Sequence, residues 1–249
     1  MNIALPLLSS IISLFFALAL LDQYLNKRRP YELMWAIGLA LYSLGTGAEF
    51  VAGVFGVSLG AFKVWYLAGA ILVPPYLAMG TVYLLLHRRV AHIVLALVVL
   101  VTVFSAVRVS ASGVNFDVGI IEEAGVLTIR QSVAQGEPMS GRAWIDSSVR
   151  DLSQIAIVGA FVVIAGAIYS AVLFGIRGTH PYRVVSNLLI AVGLLIPAIG
   201  GGLARRADLH TYLYISEFVG IIIIYVGFLR SREVFEVFQI PFIRRAREP

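Results

Sequence analysis

Seven stretches of this 249-residue chain are each long and apolar enough to cross a bilayer, and they leave little sequence between them. They cover residues 3–21, 33–56, 64–86, 90–107, 152–176, 184–204 and 211–229. A helix needs roughly 20 apolar residues to span a ~30 Å hydrocarbon core. In lipid the backbone must satisfy its own hydrogen bonds, and no alternating pattern of a barrel strand is present, so these segments are helices. The expectation is an all-α membrane protein: a seven-transmembrane helix bundle over residues 1–232, followed by a short basic tail, 233–249. Hydrophobic residues make up 59% of the chain and the mean hydropathy is +0.90, more apolar surface than a soluble domain of this size could cover.

The first apolar run has no basic residue ahead of it and Lys27, Arg28 and Arg29 behind it. A cleaved signal peptide has the opposite charge order, so the run reads as a retained first helix with its N-terminus outside. The odd-numbered connections continue this bias with Arg88, Arg89, Arg177 and Arg183, and the tail adds Arg230, Arg232, Arg244, Arg245 and Arg247. That places the C-terminus in the cytoplasm and the chain in the cytoplasmic (inner) membrane as a multi-pass protein. The net charge of +5 sits at membrane edges and on the tail, which argues against nucleic acid and for the lipid bilayer as the partner. Cysteine is absent, which excludes disulfides, thiolate metal sites and cysteine nucleophiles.

Five of the six connections are short and predict antiparallel neighbours. The exception is the outer loop 109–150 between the fourth and fifth helices. There Phe116, Val118 and Ile120 alternate with Asp117 and Gly119, Glu122 to Gly125 supplies a turn, and a second β-rich run follows. A β-hairpin over 114–133 is expected on the extracellular side, either as a solvated connector or as a lid over an outward-facing cavity. In the tail, Phe235, Phe238, Phe242 and Ile243 stand among polar residues and Pro241 interrupts the helix, as in a short interfacial segment.

Only two residues inside the seven stretches carry a formal charge at neutral pH, Glu49 and Glu217. At 1.5 Å per residue, Glu49 lies ~7 Å and Glu217 ~5 Å to the outer side of the middle of its own segment, so the two carboxyls share a level. Tyr42, Gly45, Thr46 and Gly53 share a helical face with Glu49, and Tyr214, Thr211 and Gly220 with Glu217; such small and hydroxyl-bearing faces pack against helices rather than lipid. An acid at this depth costs at least ~2.5 kcal/mol by insertion scales, so it faces a partner or a cavity. A neutral acid bonded to a tyrosine or a carbonyl satisfies this, as does a ligand, ion or proton-linked site; a hydrolytic or metal-assisted mechanism is a third arrangement. The candidate ligand or proton site is Glu49, Glu217, Tyr42, Thr46, Tyr66 and Tyr214. Candidate charge partners stand at the outer helix ends: Lys63, Arg108, Arg205 and Arg206, each of which could equally snorkel to the interface.

Pro74 and Pro75 interrupt the third helix midway, and Pro197 precedes three glycines in the sixth; both sites predict kinks. A retinal Schiff base needs a lysine in the last helix, but the only lysines are Lys27 and Lys63. Haem needs inward-facing histidines, whereas His87, His92, His180 and His210 all lie near helix ends. No phosphate loop, zinc-binding His-Glu-x-x-His or Asp-rich motif occurs, so no cofactor, no metal and no enzymatic activity are expected.

Two passages carry a family likeness. Lys27-Arg28-Arg29-Pro30 leads into a helix with Trp35 and Glu49, and the third helix has Trp65-Tyr66-Leu67-Ala68-Gly69-Ala70, then Val73-Pro74-Pro75-Tyr76 and Tyr83. Over about residues 20–95 this resembles the seven-transmembrane sensor regions N-terminal to some bacterial histidine kinases. The sequence departs from that pattern in carrying no kinase after the bundle and in its long fourth loop. The resemblance implies a sensor or receptor-like bundle that binds a small-molecule or lipid ligand and acts through a cytoplasmic or membrane protein partner. The alternatives are a small proton-coupled transporter using the same carboxylates and a structural subunit of a membrane complex.

Overall fold

The computed structural model describes residues 3–113, 119–123, 126–130, 147–176, 181–204 and 210–230. The turns between its first helices have identifiable local causes. Helix α1 (Ala4–Lys27) ends where Arg28 takes a left-handed conformation, φ 54°, and its N–H closes on the Tyr24 carbonyl at 2.7 Å. Pro30 then opens α2 (Pro30–Phe55), where a missing N–H costs nothing. Gly56 follows at φ 86°, and the Ser58 hydroxyl caps the next helix by accepting from Ala61 N at 3.2 Å. That helix, α3, runs over Leu59–Leu85; α4 is Arg88–Ala111. Strands β1 (Gly119–Glu123) and β2 (Val126–Arg130) pair antiparallel, Gly119 opposite Arg130. Short helical turns over Ser147–Arg150 and Asp151–Ser153 lead into α5 (Gln154–Ile176), and α6 (Pro181–Ala204) and α7 (His210–Arg230) complete the described elements.

Five helices among the described residues are long and apolar enough to cross a membrane: α1, α2, α3, α4 and the segment Asp151–Ser170 that contains most of α5. Helices α6 and α7 carry apolar stretches over Leu188–Pro197 and Tyr212–Phe228. The outside of the bundle is correspondingly apolar. Ile93, Leu97, Leu100 and Val103 on α4, and Ile157 and Phe161 on α5, all face away from the protein. A water-soluble fold would not leave such a belt uncovered.

Six of the helices close a ring in the order α1–α2–α3–α5–α6–α7 and back to α1. Helix α4 stands outside it: 11% of its apolar stretch is buried, against 50% for α3. Polar contacts tie α4 antiparallel along α3. Lys63 Nζ donates to the Ser110 carbonyl at 2.7 Å, Tyr76 Oη meets Thr102 Oγ1 at 3.2 Å, and Tyr83 Oη meets His92 Nδ1 at 2.8 Å.

Association of helices in lipid depends on close packing and interhelical hydrogen bonds, since lipid tails are as apolar as leucine. The ring shows both. Gly45 of α2 and Gly69 of α3 lie backbone to backbone, as do Gly193 of α6 and Gly220 of α7, where an added Cβ on Gly220 would stand 2.6 Å from the Gly193 carbonyl oxygen. Helices α1 and α2 are joined reciprocally: Ser10 Oγ donates to the Ser43 carbonyl and Ser43 Oγ to the Ser10 carbonyl, both at 2.9 Å. At the end of the bundle where α1 meets α2, Phe16, Trp35, Tyr225 and Phe228 pack edge to face, with centroids 4.8–5.4 Å apart.

The expected kink at Pro74 and Pro75 takes a specific form. Helix α3 is α-helical over Leu59–Val64, widens to a π-helix over Trp65–Leu72, and returns to α-helix over Val73–Leu85. The two ring nitrogens cannot donate to carbonyls one turn back, and a wider turn immediately upstream re-routes the hydrogen bonds they would have closed. Helix α5 uses the deformation: at Gly159 an added Cβ would lie 2.6 Å from the backbone of both prolines. Pro197 lies inside α6, which is assigned as helix continuously through it, and its ring is one of the atoms that leave no room for a side chain at Gly220.

Candidate functional site

Glu49 and Glu217 meet inside the ring. They lie on α2 and α7, the two helices that flank α1 in the ring. Glu49 is 2% exposed, and the two carboxyl side chains interact with each other electrostatically. Trp65 Nε1 donates to Glu49 Oε1 at 2.7 Å. The second oxygen of each acid, Glu49 Oε2 and Glu217 Oε2, is buried with no hydrogen-bond partner among the described residues.

Each helix positions its acid for a simple reason. The Gly45–Gly69 approach draws α3 against α2, so the first residue of the π segment, Trp65, reaches Glu49 four residues beyond Gly45. The Gly193–Gly220 approach fixes α7 against α6, one turn from Glu217. Tyr42, two turns before Glu49 on the same face of α2, crosses the interior and donates from Oη to the Glu217 carbonyl oxygen at 3.0 Å. Tyr214 is buried one turn before Glu217 and lies within electrostatic range of both acids.

Four of the six candidate residues therefore come together: Glu49, Glu217, Tyr42 and Tyr214. Thr46 is buried beside them, but its hydroxyl donates back to the Tyr42 carbonyl at 3.0 Å and is used within its own helix. Tyr66 is buried in an aromatic cluster, stacked on Phe62 at 6.0 Å. Among the candidate bases, Lys63 is committed to the end of α4 and Arg108 lies on the exposed side of α4. Arg205 and Arg206 lie outside the described residues, as do the tail, residues 124–125 between the two strands and most of the long connection 109–150. No basic side chain among the described residues pairs with Glu49 or Glu217.

Two residues of consequence were not anticipated. Trp65 supplies the donor to Glu49, and its signal was a lone indole in an apolar helix at the depth of an acid. Glu32 precedes the second apolar stretch by one residue, yet it is 2% exposed in the first turn of α2, where the positive end of the helix dipole favours an acid.

Chemically, the site is a pair of acids with one indole N–H, two nearby tyrosines and no basic side chain among the described residues. It can hold a proton or a cationic group. It offers no nucleophile with a general base beside it, and no group of three or more potential metal-ligating side chains occurs among the described residues. Fold and site together define a multi-pass helical membrane protein with a pair of acids in contact inside the bundle, Glu49 buried and Glu217 half-buried. No protein-family model, no curated protein and no solved structure matches the chain.

Proposed function

We propose that this chain is a non-enzymatic seven-span sensor of the cytoplasmic membrane, with its N-terminus outside, its C-terminus inside and the outer loop hairpin extracellular. Its responsive element is the Glu49–Glu217 pair. The observation that carries the reading is the meeting of two acids, Glu49 buried and Glu217 half-buried, each with one buried oxygen that no donor reaches and neither with a basic neighbour among the described residues. Two negative charges in a low-dielectric interior repel strongly and lose their hydration, so the pair retains a proton between them or accepts a cation. A switch follows from this chemistry. Arrival of a positively charged ligand group displaces the proton, changes the repulsion between α2 and α7, and passes that change to a protein partner. The resemblance of residues 20–95 to bacterial sensor regions agrees with this reading.

The test is a thermal-unfolding series on the purified full chain. Methylammonium and tetramethylammonium serve as cationic probes, at pH values on both sides of neutrality. The wild type should respond to pH and cation in a coupled way, and Glu49→Gln and Glu217→Gln should each remove the response. If both variants respond as the wild type does, the acid pair is not the responsive element. Reconstituted vesicles separate the transporter reading: a proton flux driven by a cation gradient and lost in either variant would replace the sensor by a carrier.

A further inference from the structure

A cavity lies in the other half of the bundle, and none of the residues of the acid site lines it. Its volume is about 50 Å³, measured as space open to the centre of a water-sized sphere, several times what one water needs. Five of the six ring helices line it, which places it inside the ring. On α3 the lining runs from Leu77 to Leu85, the last residue of that helix, where Leu84 and Leu85 are exposed and form the mouth. On α5 and α6 it reaches Val163 and Leu194, each ~20 Å from the helix end on the mouth side at about 1.5 Å per residue. The cavity is thus a slot along the bundle axis. No charged side chain lines it. Its polar groups are the indole of Trp35, already donating to the Leu77 carbonyl at 3.2 Å, and the hydroxyls of Thr81 and Ser170.

The mouth is chemically the opposite of the slot. Arg88 and Arg89 follow Leu85 by three and four residues and are exposed. Lys27, Arg28 and Arg29 are exposed at the start of α2, the helix that contributes Trp35. Among the described residues the acids near this end are Glu32, which is buried in the first turn of α2, and Asp22, so basic side chains outnumber acidic ones there. A narrow slot lined by apolar side chains and opening beside a basic rim matches a molecule with an aliphatic chain and an anionic head.

We propose that the slot binds one acyl chain of an anionic membrane phospholipid, whose head group rests on Arg88, Arg89 and the Lys27–Arg29 run. Chain burial supplies affinity, and the rim selects the head group. This site is separate from the acid pair and does not depend on the function proposed for that pair.

The test uses the purified full chain in detergent, titrated with phosphatidylglycerol brominated in its acyl chains. The signal is that part of the tryptophan fluorescence which Trp35→Phe removes, because Trp35 lines the slot. Saturable quenching is expected, several-fold tighter for phosphatidylglycerol than for equally brominated phosphatidylcholine. Ala167→Leu, which fills the slot, should abolish the saturable component; should that variant not fold, Leu84→Trp narrows the half-exposed mouth and should weaken it. Replacing Arg88 and Arg89 by glutamine should erase the preference between head groups. Quenching that never saturates, that is equal for the two head groups, or that persists in the slot variants overturns the proposal. Saturation by a brominated free fatty acid but not by the phospholipid also overturns it, since the occupant is then not a bilayer lipid.

Discussion

The indole of Trp65 donates a 2.7 Å hydrogen bond to one oxygen of Glu49, and Trp65 is the first residue of the π segment in α3. The irregular stretch of helix and the buried acid are therefore one feature. The π turns that absorb Pro74 and Pro75 begin at the residue that holds Glu49.

Trp65→Phe keeps the ring and removes the donor. It should destabilise the protein by about 1–3 kcal/mol, the cost of leaving a buried acceptor unsatisfied. In a Glu49→Leu background the same change should cost much less. A double-mutant cycle in chemical unfolding checks this, and equal costs in both backgrounds would break the link between the two residues.

Two glycines should respond in opposite directions. Gly220→Ala places a methyl group 2.6 Å from the Gly193 carbonyl oxygen and against the ring of Pro197, so α6 and α7 must separate, with a loss of about 1–3 kcal/mol. Gly60, in the first turn of α3, has nothing within 4 Å of an added Cβ. Gly60→Ala should be neutral or stabilising by up to about 1 kcal/mol through helix propensity. Thermal unfolding in one detergent compares the two.

The reciprocal serine pair predicts non-additivity. Ser10→Ala or Ser43→Ala alone leaves a backbone carbonyl without its interhelical donor and should cost about 0.5–1.5 kcal/mol. The double variant should cost less than the sum of the two. Additive losses would mean that the hydroxyls act separately.

Helix α4 should be the first to loosen. Lys63→Met removes the donor to the Ser110 carbonyl at the end of α4 while keeping the apolar stem. Amide exchange over residues 108–112 should accelerate, with little change in α2 or α7. Uniform acceleration across the bundle would show that α4 is an integral part of the ring.

The sequence disclosed the helices because membrane spans are continuous apolar runs. The observed helices extend past those runs, α1 to Lys27 and α4 from Arg88, since charged residues are tolerated at the interface. The level shared by Glu49 and Glu217 was legible from the helix rise alone. Which helices stand side by side was not. A span that is apolar on every side carries no stripe marking its buried face, so nothing in residues 88–111 distinguishes a helix outside the ring from one within it. The π segment was likewise hidden: prolines announce that a helix must adjust, but not whether it bends or widens. The apolar slot left no trace, because its lining residues are those any packed span would use.

The ring has a consequence for the order of assembly. Its wall closes only when α7 reaches α1, and Glu217 arrives on that same closing helix. Before then, Glu49 has the Trp65 donor within the nascent α1–α3 unit but no second acid to face. A growing chain thus builds half of the site early and acquires the other half from its last described helix. The acid pair is both the chemical centre of the ring and the seam at which the ring closes, so a chain truncated before α7 is open at the position of its buried carboxyl, Glu49.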